Sequence, residues 1–278
     1  MAAGLFRPAG PSARGIPVVA VDDAEHRKNL EHEKKIFDKL IALKLDRQSV
    51  LVAVGGGVVT DMVGFAAAVF QRGIRWIAVP TTLTGQVDAA LGGKTGVDHQ
   101  GKNMLGAFWQ PALVMLAPAF LTTLPLRERR AGFAEVVKTG VALRPSILAD
   151  LEKDPDSILV GRSDTLLRVI KACAREKLAI VARDPGDRGV RAVLNLGHTV
   201  GHAIEAAGGY RRWNHGEAVA MGLLVECSQA ADYGKMTVDE KDRVARLIWR
   251  LGLVPKERPE PERVRGFLRL DKKGKAIG

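Results

Sequence analysis

Cysteine is scarce in this chain. Cys173 and Cys227 are the only two in 278 residues, too few for a disulfide framework, which fits a reducing cytoplasm. Aromatic residues are sparse as well, with two Tyr and four Trp. Few rings are available to stack bases, and no run of five like charges occurs. The net charge of +11 is therefore a poor fit to nucleic acid and a better one to an anionic small substrate. No apolar run is long enough to span a bilayer, and Arg72 and Arg75 break up the longest candidate. Met1 to Gly15 carries Arg7 and Arg14 but no apolar core, so it is not a signal peptide. Its Gly, Pro and Ala content predicts a mobile start. Internal repeats and low-complexity tracts are missing. What remains is a soluble globular chain with neither a membrane nor a nucleic acid as its partner.

The order of elements divides the chain in two. Pro17 to Val21 reads as a short strand, and Glu25 to Lys44 as a helix with Leu30, Ile36, Phe37, Leu40 and Ile41 on its apolar face. Ser49 to Val54 is an apolar run of strand length. It leads into Gly55-Gly56-Gly57 and a small-residue helix from about Val58 to Phe70. Arg75 to Val79 reads as a second, buried strand and Ala112 to Leu116 as a third. Strand, glycine turn, helix, strand is the grammar of a parallel α/β sheet. After about Phe120 only helical patterns follow, at Arg127–Val141, Pro145–Glu152, Ser163–Val181, His198–Ala207, Glu217–Tyr233 and Val238–Leu251. The boundary expected near Pro118–Pro125 gives domains of 1–119 and 120–278.

Three of the six histidines fall within eighteen residues, His198, His202 and His215. His198 and His202 are spaced i, i+4, one turn apart on a shared helix face. Imidazoles so clustered favour a metal centre over a set of ordinary core and surface histidines. Glu135, on the Arg127–Val141 helix, could complete a His/His/Glu ligand set, although with Lys138 at i+3 it could equally be a weak surface pair. The Gly55–Asp61 turn suits either a pyrophosphate at a helix N-terminus or a tight turn needing positive φ. Pro80-Thr81-Thr82 adds hydroxyls at the carboxyl end of the sheet, where ligands bind in open α/β folds. Asp88 to Asn103, rich in Gly and Lys, reads as a long loop that is either a phosphate site or a flexible surface.

Taken in order, these strings resemble the 3-dehydroquinate synthases of the sugar phosphate cyclase group, from about Val18 to Gly278. They are Gly55–Asp61 with Gly64-Phe-Ala-Ala67, Arg72-Gly73, Val79–Thr82, Gln86-Val-Asp88, Gly92–Thr95, Gly101–Asn103, Ala134–Lys138, Leu194–Glu205, His215-Gly-Glu217 and Asp271-Lys-Lys273. The resemblance implies a Rossmann-like NAD-binding α/β domain followed by an all-α metal- and substrate-binding domain. It implies conversion of 3-deoxy-D-arabino-heptulosonate 7-phosphate to 3-dehydroquinate and phosphate, with NAD and one divalent ion, zinc or cobalt. Carried over by motif, Glu135, His198 and His215 are the metal ligands. Glu25, Lys28, Gly56, Gly57, Asp61, Thr81, Thr82, Lys94, Lys102 and the Phe120-Leu121-Thr122-Thr123 turn fall on NAD. Asp88, Lys94, Lys138, Lys177, Arg191, Asn195 and His202 fall on the reacting substrate, with His202 as a proton carrier. Asn103, and Arg72 from the neighbouring subunit of a homodimer, fall on its phosphate. Against the family pattern the chain is expected to be shortened at both ends, with only 24 residues ahead of Glu25. Thr60, Thr139 and Asp187 replace a usual Gly, aromatic and Glu. The alternatives are another cyclase making a cyclitol, a plain NAD-dependent alcohol dehydrogenase, and an inactive homologue acting as a binding partner.

Overall fold

The computed structural model describes residues 15–160 and 164–275, with residues 270–275 as backbone alone. The expected mobile start before Gly15, Ser163, and the side chains of Asp271-Lys272-Lys273 lie outside the described residues. The chain forms two compact units. One runs to Thr81 and resumes over Ala89–Ala117. The other takes Thr82–Asp88 and everything from Pro118.

The first unit is built on strands β1 (Val50–Gly55), β2 (Arg75–Pro80) and the two-residue β5 (Leu113–Val114), parallel and in the order β1-β2-β5. Helices α1 (Leu30–Ala42) and α2 (Gly57–Val69) belong to its core. Ile36, Leu40, Met62, Val63 and Ala66 cluster there with Leu51, Ala53, Trp76 and Ala78 from the strands. The alternate residues Val50 and Val52 are 42% and 55% exposed, so the apolar run of β1 is buried on one face only.

Four expectations are corrected in this unit. Pro17–Val21 forms no strand, because no described strand pairs with it; Val21 still packs on the core. The helix expected from Glu25 is a short turn, Glu25–Arg27, followed by α1. Asn29 causes the break: it is extended, and its Oδ1 accepts from His32 N at 3.1 Å as an N-cap. Leu30 and Ile41 are exposed, and Glu33 takes a place on the buried face with Ile36 and Leu40. Finally, the segment expected as a loop contains an antiparallel hairpin, β3 (Lys94–Val97) with β4 (Leu105–Phe108). Its backbones approach closely because Gly96 faces Gly106. A Cβ at Gly106 would lie 2.4 Å from Thr95 O.

The second unit is helical: α3 (Leu126–Ala142), α4 (Ser146–Lys153), α5 (Pro155–Val160), α6 (Asp164–Arg183), α7 (His198–Ala207), α8 (His215–Asp232), α9 (Val238–Arg250) and α10 (Pro261–Lys275). Helices α5 and α10 add to the expected set, as does the 3-10 turn Val190–Asn195. Thr82–Asp88 joins this unit beneath α3, where Gly132 leaves room for Leu83; a Cβ there would come within 2.4 Å of the Leu83 Cβ. Among the described residues no helix is long and apolar enough to cross a membrane.

Candidate functional site

Helix α3 contributes Glu135 and Lys138 to the interior of the second unit, 0% and 2% exposed. Helices α7 and α8 each bring a histidine at their first residue. Glu135 Oε1 lies 3.5 Å from His198 Nε2 and 3.1 Å from His215 Nε2. One ligand atom from each of the three residues falls within 4.8 Å of the others. His202 is exposed, with its ring 5.5 Å from His198 and 6.3 Å from His215. The structure thus gathers all three histidines but sets His202 apart from the Glu135 group.

Local sequence explains how α8 delivers His215. Asn214 and Glu217 form a reciprocal capping box, with Asn214 Oδ1 accepting from Glu217 N and Glu217 Oε2 accepting from Asn214 N, both at 2.9 Å. The helix therefore begins at His215, two residues earlier than expected. Arg127 grips the same Glu217 carboxylate with two bonds of 2.7 Å. Gly216 lets this helix start touch α3: a Cβ there would lie 2.2 Å from the Ala131 Cα and carbonyl oxygen. Gly216→Ala is expected to cost about 2–3 kcal/mol through overpacking and to weaken zinc binding by displacing His215. Thermal unfolding and zinc titration measure both, and unchanged values would show that α3 and α8 yield freely.

At α7, Gly197 adopts φ +78° ahead of His198, and its N–H donates to Glu226 Oε2 at 2.7 Å. Gly222 of α8 packs against it, where a Cβ would come to 2.0 Å from Gly197 O.

The tautomer of His198 suits a cation. Leu196 O can only accept, so His198 Nδ1, 3.1 Å away, must carry the proton. Nε2 then turns a lone pair toward the Glu135 carboxylate. The two electron-rich groups lie 3.5 Å apart, an arrangement that a cation between them would stabilise. Bonds of 2.0–2.1 Å to a tetrahedral ion set ligand atoms about 3.4 Å apart, and the observed 3.1 and 3.5 Å bracket that spacing.

Charge is balanced around the group. Lys138 Nζ lies 2.5 Å from Glu135 Oε2 and 3.5 Å from Asp88 Oδ1. Lys177 Nζ donates to Asp88 Oδ1 at 2.8 Å and to its carbonyl at 2.5 Å. Two carboxylates thus meet two ammoniums before any metal is counted. Burial would raise the Asp88 carboxyl, but Lys138 and Lys177 outweigh it and hold it down at about 2. Burial opposes charge on Glu135 too, yet Lys138, His198 and His215 keep it well below the usual carboxylate range. For Lys177, burial and then the neighbouring Lys138 ammonium push its affinity for a proton down despite Asp88. His198 is lowered, chiefly by burial. His215 is lowered by burial but raised more by Glu135 and Glu205, to about 9.

Arg191 is buried at 1% exposure on the turn before α7, and Asn195 on the same turn is exposed. Pro118–Thr122 forms a 3-10 turn, and the hydroxyls of Thr122 and of Thr123 just after it donate to Ala119 O and Phe120 O. Thr82 Oγ1 accepts from Gly85 N. Thr139 donates back to Glu135 O at 2.9 Å, one turn up the helix.

In the first unit, Lys28 is buried and bridges Asp61 Oδ2 at 2.6 Å and Asn103 Oδ1 at 2.5 Å. Lys102 pairs with Glu25 at 3.4 Å. Asn103, expected at the substrate phosphate, is thus bonded inside the group expected at the cofactor. Lys94 is exposed at the head of β3, after Gly92 and Gly93, both at positive φ. Thr81 N donates to Gly55 O at 2.9 Å. The Gly55–Gly57 turn does not use positive φ: Gly56 has φ −75° and ψ −172°. Space decides at Gly55, where a Cβ would lie 2.6 Å from that of Val59. Thr60 donates back to Gly57 O at 3.0 Å. Gln71 and Arg72 are both left-handed, at φ +53° and +65°.

Sequence reading missed Glu205, whose Oε1 lies 3.4 Å from His215 Nδ1. Its signal was the i, i+4, i+7 spacing of His198, His202 and Glu205. Glu226 and Arg127 carried no such signal.

Comparison with known proteins agrees with this geometry. The family profile "3-dehydroquinate synthase N-terminal" matches residues 18–131, and "3-dehydroquinate synthase C-terminal" matches 132–274. The 3-dehydroquinate synthase of Teredinibacter turnerae is 46% identical over 259 residues, covering 92% of this chain and 72% of that protein. That of Geobacter metallireducens is 46% identical over 263 residues, covering 94% and 73%. Among solved structures, the 2-epi-5-epi-valiolone synthase of Streptomyces hygroscopicus subsp. jinggangensis, with NAD+ and Zn2+ bound, superposes with a TM-score of 0.84. It shares 30% identity and covers 90% of this chain and 70% of its own. A 2-deoxy-scyllo-inosose synthase complexed with carbaglucose-6-phosphate, NAD+ and Co2+ gives 0.81 at 30% identity, covering 88% and 67%. The fold is the Rossmann-like α/β domain and helical domain of the sugar phosphate cyclases.

Proposed function

Because the chain belongs to the 3-dehydroquinate synthase family, we propose that it is an NAD- and metal-dependent lyase converting 3-deoxy-D-arabino-heptulosonate 7-phosphate to 3-dehydroquinate and phosphate. The observation that carries this reading is the closed group of Glu135, His198 and His215 beside the paired lysines Lys138 and Lys177. Three protein ligands leave a position open for substrate, as a catalytic rather than structural ion requires. Zinc and cobalt both suit an imidazole and carboxylate set.

NAD fits the first unit. Helix α2 starts at Gly57 with no side chain capping Gly56 and no acidic residue in its first turn, which suits a pyrophosphate at its N-terminus. Glu25, Lys28, Asp61, Thr81 and Lys102 would bind the remainder. When bound, NAD+ takes and returns a hydride, and the divalent ion supplies Lewis acidity at the alcohol being oxidised.

The chain's own residues then bind and orient an anion and handle its protons. A dication added to the balanced carboxylates and ammoniums makes the site net positive, matching a substrate with carboxylate and phosphate groups. Lys138 and Lys177 hold protons at Nζ on either side of Asp88. Arg191 and Asn195 would orient the substrate, and His202, which is exposed, would carry its protons. The family resemblance assigns Lys94 and Asn103 to the substrate as well, although Asn103 is bonded to Lys28 here. Arg72 would reach the phosphate in the neighbouring subunit of a homodimer. Holding two adjacent non-glycine residues left-handed costs on the order of 1–3 kcal/mol each, which favours a use for that loop. The two free, buried cysteines suit a cytoplasmic setting.

The deciding experiment is release of inorganic phosphate from the heptulosonate phosphate, with and without NAD+ and zinc. No release with both present would reject the reading; release of phosphate with a cyclitol product would move it to another cyclase. Lys94 is exposed and can be truncated without disturbing the core. Lys94→Ala is expected to weaken binding of an anionic substrate analogue by about 1.5–3 kcal/mol, the range for charge-assisted hydrogen bonds. Calorimetric titration measures this, and an unchanged affinity would place the anion elsewhere.

A further inference from the structure

His215 lies between two carboxylates. Its Nε2 faces Glu135 Oε1 at 3.1 Å, and its Nδ1 faces Glu205 Oε1 at 3.4 Å. Glu205 lies on α7, 4% exposed, two turns beyond His198 on the same face. A buried carboxylate is costly without a partner, and its place beside the second nitrogen of a ligand histidine gives it a use.

We infer that Glu205 is a positioning residue for the metal, fixing the His215 ring so that Nε2 offers its lone pair to the ion. The inference rests on the metal reading above. With an ion bound at Nε2, the one remaining ring proton would sit on Nδ1, beside Glu205 Oε1 at 3.4 Å. His198 is set in the same sense by a backbone carbonyl, Leu196 O. The two ligands are therefore oriented by different means, a neutral dipole for His198 and a charge for His215. A carboxylate behind an imidazole raises its basicity as well as fixing its direction, so Glu205 strengthens the bond that His215 makes.

A competing arrangement exists on the same residues. His202, Glu205 and His215 also place ligand atoms within 4.8 Å of one another, and an ion there would take Glu205 as a direct ligand. The experiment separates the two.

The whole chain is stripped of metal, and zinc affinity is measured by chelator competition for the unaltered protein, Glu205→Gln and His215→Ala. Cobalt absorption spectra and thermal midpoints are recorded alongside. Glu205→Gln is expected to keep one zinc per chain and the cobalt band pattern, while affinity falls about 10–100-fold, the range for outer-shell partners of metal ligands. Glu205→Leu carries the same test should the amide disturb packing. Equal affinity in Glu205→Gln and the unaltered protein would overturn the inference. Loss of the cobalt band pattern in Glu205→Gln would overturn it in favour of direct ligation. If zinc binding is already absent, or survives His215→Ala undiminished, the metal reading fails and this inference falls with it, a result recognisable because Glu205 plays no part in it.

Discussion

Replacing His198 by alanine is expected to reduce zinc from about one per chain to almost none and to lower turnover about a thousandfold or more. The ring supplies one of three protein ligands, and two leave the ion held by little more than a half-site. A loss of about 4 kcal/mol in transition-state stabilisation corresponds to that factor. The fold should survive, because His198 stands at the head of α7 with 12% of its side chain exposed rather than in the apolar core. Metal analysis and circular dichroism on the variant, with the phosphate-release assay, test all three parts. Full zinc content in His198→Ala would remove this residue from the ligand set.

A second large effect is expected far from the metal. Glu33 is fully buried on α1, and neither carboxylate oxygen has a hydrogen-bond partner. Burial pushes its carboxyl up to about 8. The folded protein therefore holds this proton more tightly than the unfolded chain does. Stability from this group is intact below about pH 4.5 and declines as pH rises, at up to about 1.4 kcal/mol per unit, levelling off above about pH 8. Glu33→Leu removes the dependence and the buried polar group together. At pH 8.5 it should stabilise the protein by about 2–4 kcal/mol, a gain of roughly 3–8 °C in melting temperature. At pH 5 the gain should shrink towards the smaller cost of burying a neutral acid. Glu33→Gln should flatten the pH profile with less gain, since its amide still lacks partners. A melting temperature that follows the same course across pH 5–9 in the unaltered protein and in Glu33→Leu would refute the account.

Glu33 also shows where the sequence stops being legible. On an amphipathic helix a glutamate reads as surface, and only the packed structure reveals that it is buried with Ile36 and Leu40 while Leu30 and Ile41 are exposed. Apolar runs such as Val50–Val54 were readable because burial on even one face leaves a strand-length signature. The β3–β4 hairpin was not, since its glycines at 93, 96 and 106 imitate a loop. In fact they let two backbones pack where a side chain would clash. Helix α10 carries few apolar residues among many charges, so its periodicity is faint. At the metal centre, clustered histidines were conspicuous in one window. Glu135, some sixty residues away, came from the family resemblance more than from its own surroundings. Arg127, Glu205 and Glu226 act on those ligands through tertiary contacts, which leave little local trace.

The metal centre is framed as much by missing side chains as by those present. Gly132, Gly216 and Gly222 lie where any added carbon would sit within 2.4 Å of a neighbouring atom. Every coding change that alters a glycine adds at least that carbon. Ligands such as histidine can in principle be exchanged for other donors, and lysines for arginines. These three glycines have no equally small substitute among the encoded residues. Inherited constraint on this enzyme should thus fall on residues that touch neither metal nor substrate, and a lineage drifting to a new sugar phosphate would rewrite its lysines before its glycines.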